Sequence, residues 1–303
     1  MKFGMHLGIR GPAAAPDSLI EIARAAEAMG FEHLGFSDHV IIAATVDSIY
    51  PYTSDGRWFA HDTGECLEQL STMSFVAAAT QRIRLLTSVM VLPHRQPLLA
   101  AKMLTTVDVL SKGRLTVGVG VGWMEEEIAV LGGPPFRQRG KASNEMIEAF
   151  RKLWTLDRPE MQGTHVAFEN VLFSPKPVQK PHPPIWIGGE GRAARRRAGE
   201  LGDGWYPIHN NPAAPLDTVE RYAGGLADVR EAAAQAGRQP DTITAALFVI
   251  GHTMDHAVLN AEGGRRCFTG TRADIRSDAA AFEDAGLQHL VIGFEANTTA
   301  EVL

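Results

Sequence analysis

Short apolar runs and stretches with apolar residues every third or fourth position alternate along almost the whole chain. Lys2 to Gly8 is an apolar run closed by a loop, Ile9 to Pro16, rich in Gly, Pro and Ala. Asp17 then reads as an N-cap, with Leu19, Ile22, Ala23, Ala26 and Met29 at helical spacing until Gly30. Phe31 to Phe36 is a second strand, ending on Ser37-Asp38-His39. A helix through Leu67, Leu70, Phe75 and Ala79 leads to a strand over Ile83 to Val91, then a helix over Leu98 to Leu110. Arg114 to Gly122 is a β run with alternate glycines, followed by an amphipathic helix over Asn144 to Leu156. The second half repeats the rhythm. Strands are expected at Pro184 to Gly189, Gly204 to Ile208, Ile243 to Ile250 and His289 to Phe294, with helices at Ala193 to Leu201, Leu216 to Ala236 and Arg272 to Ala285.

Near-continuous apolar strands alternating with helices predict a parallel sheet buried on both faces. An open doubly wound sheet and a closed barrel both satisfy that pattern. About eight βα units in 303 residues, with no obvious linker, favour a (β/α)8 TIM barrel formed as one domain over 1–303. Two segments break the rhythm, Ile41 to Gly64 and Thr155 to Pro183. Loops of that length in a compact domain are expected as lids, binding loops or linkers.

Composition narrows the class. With 45% hydrophobic and 21% charged residues the chain can bury a large core without disulfides or metals. The balance of 29 Lys+Arg against 35 Asp+Glu leaves −6, unlike the basic, Lys- and Arg-clustered domains that bind nucleic acid. Two cysteines, Cys66 and Cys267, make no disulfide framework. The start at Met1 lacks a signal peptide's charged opening and long apolar run, and no stretch reaches the ~20 apolar residues of a membrane helix. The expectation is a soluble cytoplasmic protein acting on a small molecule, without nucleic-acid or membrane partners.

A parallel barrel places its chemistry at the C-terminal ends of its strands. At one such end, Gly188-Gly189-Glu190-Gly191 runs into a helix opening at Arg192. Glycine lets backbone amides approach a ligand, and a helix N-terminus favours an anion, so this is a candidate phosphate site. The bland reading is a tight turn before a solvated basic face. The spacing Gly189-x-Gly191-x-x-Ala194 resembles a dinucleotide fingerprint but lacks the acidic residue about 20 positions on. Glycines at 118, 120 and 122 are costly in a central strand; they either let a flat ligand lie on the backbone or suit a crowded barrel interior. Asp38 and His39, side by side at a strand end, can hydrogen-bond a heterocycle or move a proton. His252 and His256 have helical spacing without an evident third ligand, so no metal site is expected. No P-loop or Gly-x-Ser-x-Gly elbow occurs.

In order and spacing, Phe36-Ser37-Asp38-His39, Arg84 to Pro93, Gly113 to Glu127, the Arg139 to Trp154 helix, Phe173 to Gln179, Pro184 to Gly189 and Asp203-Gly204-Trp205 resemble the bacterial luciferase-like flavin and deazaflavin oxidoreductase superfamily. The resemblance implies a tricyclic cofactor in the barrel mouth. It implies that Thr87-Ser88-Val89 form a bulge, often with a non-prolyl cis peptide, behind the central ring. Asp38 then contacts the cofactor, His39 lies near the reactive ring as the catalytic acid or base, and Gly188 with Gly189 receives the phosphate. Gly120, Gly122, Glu190 and Gly191 complete the implied cofactor set; His6, Tyr52, Trp58 and Trp123 make the substrate pocket. Tyr50 and Phe59 join Tyr52 and Trp58 either as an aromatic lid or as packing against the barrel or a second subunit. Gly118 to Glu127 is similar to the branch that uses coenzyme F420, implying hydride transfer to or from an organic substrate. The same superfamily offers an FMN-dependent monooxygenase as the alternative, and its members are often homodimers. Some relatives place Glu where Trp123 stands, so a sugar-phosphate dehydrogenase mechanism through that Glu is not expected. A non-redox phosphate-binding barrel enzyme predicts a catalytic Lys or Glu at a strand end, and none is evident.

Overall fold

In the computed structural model, which describes residues 1–53, 55–58 and 63–294, the strands do close. The barrel runs β1 (Lys2–Leu7), β2 (His33–Phe36), β3 (Arg84–Thr87) continued by β4 (Met90–Val91), and β5 (Leu115–Gly120). After a small antiparallel hairpin, β6 (Met161–Gln162) with β7 (Ala167–Phe168), come β8 (Ile185–Gly188), β9 (Gly204–Tyr206), β10 (Thr244–Val249) and β11 (His289–Gly293). Every barrel pairing is parallel, and β11 closes onto β1. With β3 and β4 taken as one interrupted strand, eight strands form the expected (β/α)8 barrel.

Helices α1 (Pro16–Ala28), α2 (Gln69–Ala79), α3 (Pro97–Leu110), α4 (Glu125–Val130), α5 (Arg139–Thr155), α6 (Arg192–Leu201), α7 (Val219–Gln235) and α8 (Arg272–Asp284) follow the strands. Their starts are chemically marked. Pro16 and Pro97 occupy first turns, where the missing N–H is harmless, and Thr271 with Asp274 forms a capping box on α8. Asp17 is not the N-cap of α1: the helix begins one residue earlier, with Ala15 at the cap and Asp17 in the first turn. Likewise α5 begins at Arg139, five residues before the amphipathic run suggested.

The barrel lumen is filled by Leu86, Trp186, Tyr206, Ala246, Phe248 and Val291, and a larger apolar layer lies between strands and helices. That two-sided burial explains the continuous apolar strands. The third strand departs from the continuous run that the apolar pattern suggests, and does so where the family resemblance implied a bulge with a non-prolyl cis peptide. Ile83 to Val91 is not continuous: it breaks at Ser88-Val89, where the peptide is cis.

Three histidines in this framework, His33 and His209 buried and His289 half-buried, have ring nitrogens without hydrogen-bond partners among the described residues. His33 and His289 face each other with ring centroids 5.1 Å apart, and each has an Nδ1 lacking a hydrogen bond among the described residues. His209 has neither ring nitrogen hydrogen-bonded. Burial, with help from neighbouring positive charges, lowers His209 to about 3 and His289 to about 4, and pushes His33 well below its ordinary value. The unfolded chain therefore binds protons below about pH 6.5 that the fold refuses, so stability falls as pH drops from there towards 4. We expect the urea-unfolding midpoint to fall between pH 7 and pH 5. His209→Phe should make that dependence shallower by up to about 1.4 kcal/mol per pH unit, one proton's worth. An unchanged slope would show that His209 takes no part.

Candidate active site

The C-terminal ends of the strands open into a cleft of about 1560 Å³, lined from β1, β2, β5, β8 and the 41–64 segment. Such volume exceeds the usual range for a small ligand and suits a cofactor plus a substrate. Of the residues singled out in the sequence, His6, Asp38, His39, Tyr52, Trp58, Ser88, Val89, Gly120, Gly122, Trp123 and Gly188 to Gly191 all line it. Thr87 does not. It is fully buried, and its hydroxyl donates to the Gly118 carbonyl at 2.7 Å, so it braces β3 against β5 instead of meeting a ligand. Phe59 lies outside the described residues.

The glycines of β5 have a packing cause. A Cβ on Gly118 would stand 2.1 Å from the Thr87 carbonyl oxygen, and one on Gly120 would stand 2.8 Å from Val89 Cγ2. On Gly122, whose φ is +80°, it would meet Val91 Cγ1 at 2.7 Å. Gly188 faces the other methyl of Val89 at 3.1 Å. Val89 thus sits between Gly120 and Gly188 on the cleft floor. The crowded-interior reading of the glycine row is the one that the geometry supports.

Asp38 is committed to protein contacts. Its carboxylate accepts from the Val91 amide at 2.7 Å and from both terminal nitrogens of Arg95 at 2.7 and 2.8 Å. Arg95 also donates to Glu68. Burial disfavours the Arg95 charge, but Asp38 and Glu68 outweigh it and raise its pKa. Asp38 lines the cleft and at the same time ties the end of β2 to β4 and to Arg95, just before α3. Glu190 is similarly occupied, accepting from the Ile208 amide and the Asn211 side chain at 2.7 Å each, with burial raising its pKa.

His39 stands beside Asp38 with a different environment. Its Nδ1 lies 2.6 Å from Glu127 Oε2, and its ring packs on Trp58 with centroids 4.3 Å apart. Tyr50, Trp58 and Trp123 form an aromatic group around it, so these rings both line the cleft and pack the 41–64 segment against the barrel. His6, on the floor, lies 4.7 Å from the Phe248 ring; burial, then the charge of Arg10, lowers its pKa to about 4. Burial and the neighbouring Glu190 and Tyr50 hold Tyr52 protonated.

The opposite end of the cleft is cationic. Gly189 has φ +105°, and a Cβ there would meet Ala194 at 2.9 Å, whereas Gly191, at the N-cap of α6, would place a Cβ in open space. No side chain caps α6. Arg139 and Arg197 also line this end; among the described residues neither is in an ion pair, and they donate hydrogen bonds to Gly122, Phe136, Gly140 and Asn144. A helix N-terminus with two guanidinium groups suits a phosphate.

The sequence reading missed Glu127, His94, Arg139 and Arg197. Glu127 looks like part of a solvated acidic run, Glu125-Glu126-Glu127, yet it is fully buried. Its neighbours carry the signal: Met124 at the N-cap of α4 and Ile128 within the helix are both 1% exposed, and Glu127 lies between them on the chain.

The mouth of the eight-stranded barrel thus brings the His39–Glu127 contact into one cleft with a helix end flanked by two arginines. Residues 1–295 match the family model described as luciferase-like monooxygenase, and the chain belongs to that family. It is 34% identical over 172 residues to an FMNH(2)-dependent dimethylsulfone monooxygenase of Pseudomonas putida, a match covering 56% of this chain but only 45% of that enzyme. Among solved structures, the coenzyme F420 dependent tetrahydromethanopterin reductase of Methanopyrus kandleri superposes with TM-score 0.75 at 17% identity, covering 99% of this chain and 96% of that one. An F420-dependent secondary alcohol dehydrogenase in complex with an F420-acetone adduct gives 0.74 at 20%, covering 96% and 92%. These two likenesses establish the fold.

The contacts of Asp38 yield a test. Asp38→Ala leaves a buried Arg95 short of its main partner and frees the Val91 amide, so unfolding at pH 7 should be easier by about 3 kcal/mol or more. A loss below about 1 kcal/mol in urea titration would show that the tie is dispensable.

Proposed function

We propose that the protein transfers hydride between the deazaflavin coenzyme F420 and a small organic substrate, with His39 moving the accompanying proton. The observation that carries this reading is the pairing, in one cleft, of the His39–Glu127 group with the cationic end at α6. Bound there, a deazaflavin supplies a hydride acceptor or donor that does not activate oxygen. The residues present fit such a group. Gly189, Gly191, Arg139 and Arg197 are suited to a phosphate, and Val89 with Gly120 and Gly188 forms a floor for a flat ring.

The chain's own part is positioning and proton handling. Oxidising an alcohol carbon to a carbonyl releases a hydride and a proton, and the proton needs an acceptor within reach. His39 lines the cleft with its side chain 12% exposed, and Nε2 is the ring nitrogen not engaged by Glu127. In the reverse direction the same nitrogen returns the proton. The rings of Trp58 and Trp123 stand beside the imidazole, with centroids 4.3 and 6.3 Å away.

An FMN-dependent monooxygenase is the second reading, supported by the 34% identity to the Pseudomonas putida enzyme. The two cofactors share a ring system and a phosphate, so anaerobic titration of the apoprotein with each separates them. Saturable F420 binding, followed by reduction with a secondary alcohol, is the expected result; FMN binding alone would overturn it. His39→Ala should leave cofactor affinity within several-fold while slowing turnover by ~10²–10⁴. An unchanged rate would remove His39 from the chemistry.

A further inference from the structure

Glu127 is fully buried, and among the described residues no lysine or arginine lies within ion-pair distance of it. Its carboxylate is held from two sides. Oε1 accepts from the Val40 amide at 2.7 Å and the Ile41 amide at 3.2 Å. Oε2 faces His39 Nδ1 at 2.6 Å and His94 Nε2 at 3.6 Å, the second beyond hydrogen-bond length. Burial pushes the carboxyl up, but the His39 hydrogen bond, the two imidazoles and the Val40 amide outweigh it and hold the group below its ordinary value. An ionised carboxylate only accepts, so the hydrogen of this contact belongs to His39 Nδ1.

We propose that Glu127 is the positioning residue of the site: it locks His39 in the Nδ1–H tautomer, so that Nε2 meets the cleft as a lone pair. A carboxylate beyond an imidazole sets which nitrogen carries the hydrogen, and that decides whether the other can take a proton. The tautomer follows from the contact alone; only its catalytic consequence rests on the function proposed above. His94 stands behind the pair with its side chain 2% exposed and its Nδ1 without a hydrogen bond among the described residues. Burial lowers its pKa, leaving it neutral with its hydrogen best placed on Nε2, facing the carboxylate.

The amides of Val40 and Ile41 make Glu127→Gln informative. They require an oxygen at the Oε1 position, so the side-chain NH₂ must take the Oε2 position and donate to His39 Nδ1. That forces the hydrogen onto Nε2, the wrong tautomer for a proton acceptor. Two-bond ¹⁵N–¹H spectra of histidine-labelled protein without cofactor, with His39 assigned by its loss in His39→Ala, read this directly. The expected spectra are Nδ1–H in the native protein and Nε2–H in Glu127→Gln. Turnover of Glu127→Gln should fall by roughly 10²–10⁴ with KM within several-fold, as for other carboxylate-to-amide changes behind a catalytic imidazole. A native Nε2–H tautomer, or Nδ1–H persisting in Glu127→Gln, overturns the proposal whatever the rates. If Glu127→Gln does not fold, the native spectrum decides alone. The predicted tautomers with no F420-linked turnover in the native protein would count against the cofactor and leave the role of Glu127 supported.

Discussion

The third strand approaches β5 so closely that no side chain fits between them, and the rest of the site depends on that approach. With the Gly118 Cβ position 2.1 Å from the Thr87 carbonyl oxygen, alanine there would push backbone against backbone. The contact lets β3 and β4 both pair with β5 and so completes the ring of strands. It also sets the cleft floor, because Val89 enters between Gly120 and Gly188 at the level where the barrel opens. Glycine is costly in a central strand; here the loss is offset by closure of the barrel.

From that floor the cleft divides into regions of different electrostatics. Around Asp38, charge is matched within the protein: Arg95 joins Asp38 and Glu68, and these contacts hold the ends of β2 and β4. One residue later, His39 meets a buried carboxylate that has no lysine or arginine within ion-pair distance among the described residues, so an imidazole is placed at the cleft wall. At the far side Arg139 and Arg197 have no carboxylate partners among the described residues, next to the start of α6, which no side chain caps. Adjacent strand-end residues thus have different partners, a guanidinium for Asp38 and a buried carboxylate for His39, because of what lies behind each.

The fold was readable because burial on both faces leaves an unmistakable trace. Eight apolar strands separated by helical periods allow few alternatives, and the helices begin and end within a few residues of the expected places. The break at Ser88-Val89 was not readable from periodicity, since Leu85 to Val91 is as apolar as any intact strand. The acid at 127 was hidden by composition. Three glutamates in a row suggest a solvated face, and Glu126 indeed accepts from the Asp47 and Ser48 amides near the surface. Only the position of Glu127 between Met124 and Ile128 betrays its burial. His39 was visible as a strand-end histidine, but Asp38 beside it has the same credentials, and its true partner lies 57 residues away.

That contrast bears on how a barrel acquires reactivity. A polar residue at a strand end becomes chemical only when the surrounding protein leaves one of its atoms unsatisfied and facing the ligand. Asp38 and Glu190 line the cleft, yet backbone amides and side-chain donors occupy them, which makes them parts of the wall. His39 has Nδ1 held by Glu127 and, among the described residues, no hydrogen bond at Nε2, an asymmetry created by α4, the short helix that the sequence pattern did not reveal. Since α4 carries Glu127 to His39 while Glu126 accepts from the Asp47 and Ser48 amides, one turn of helix couples the segment around Ser48 to the histidine's orientation. Changes in that segment are therefore expected to reach His39 through Glu127, without any contact between the altered residue and the reacting atoms.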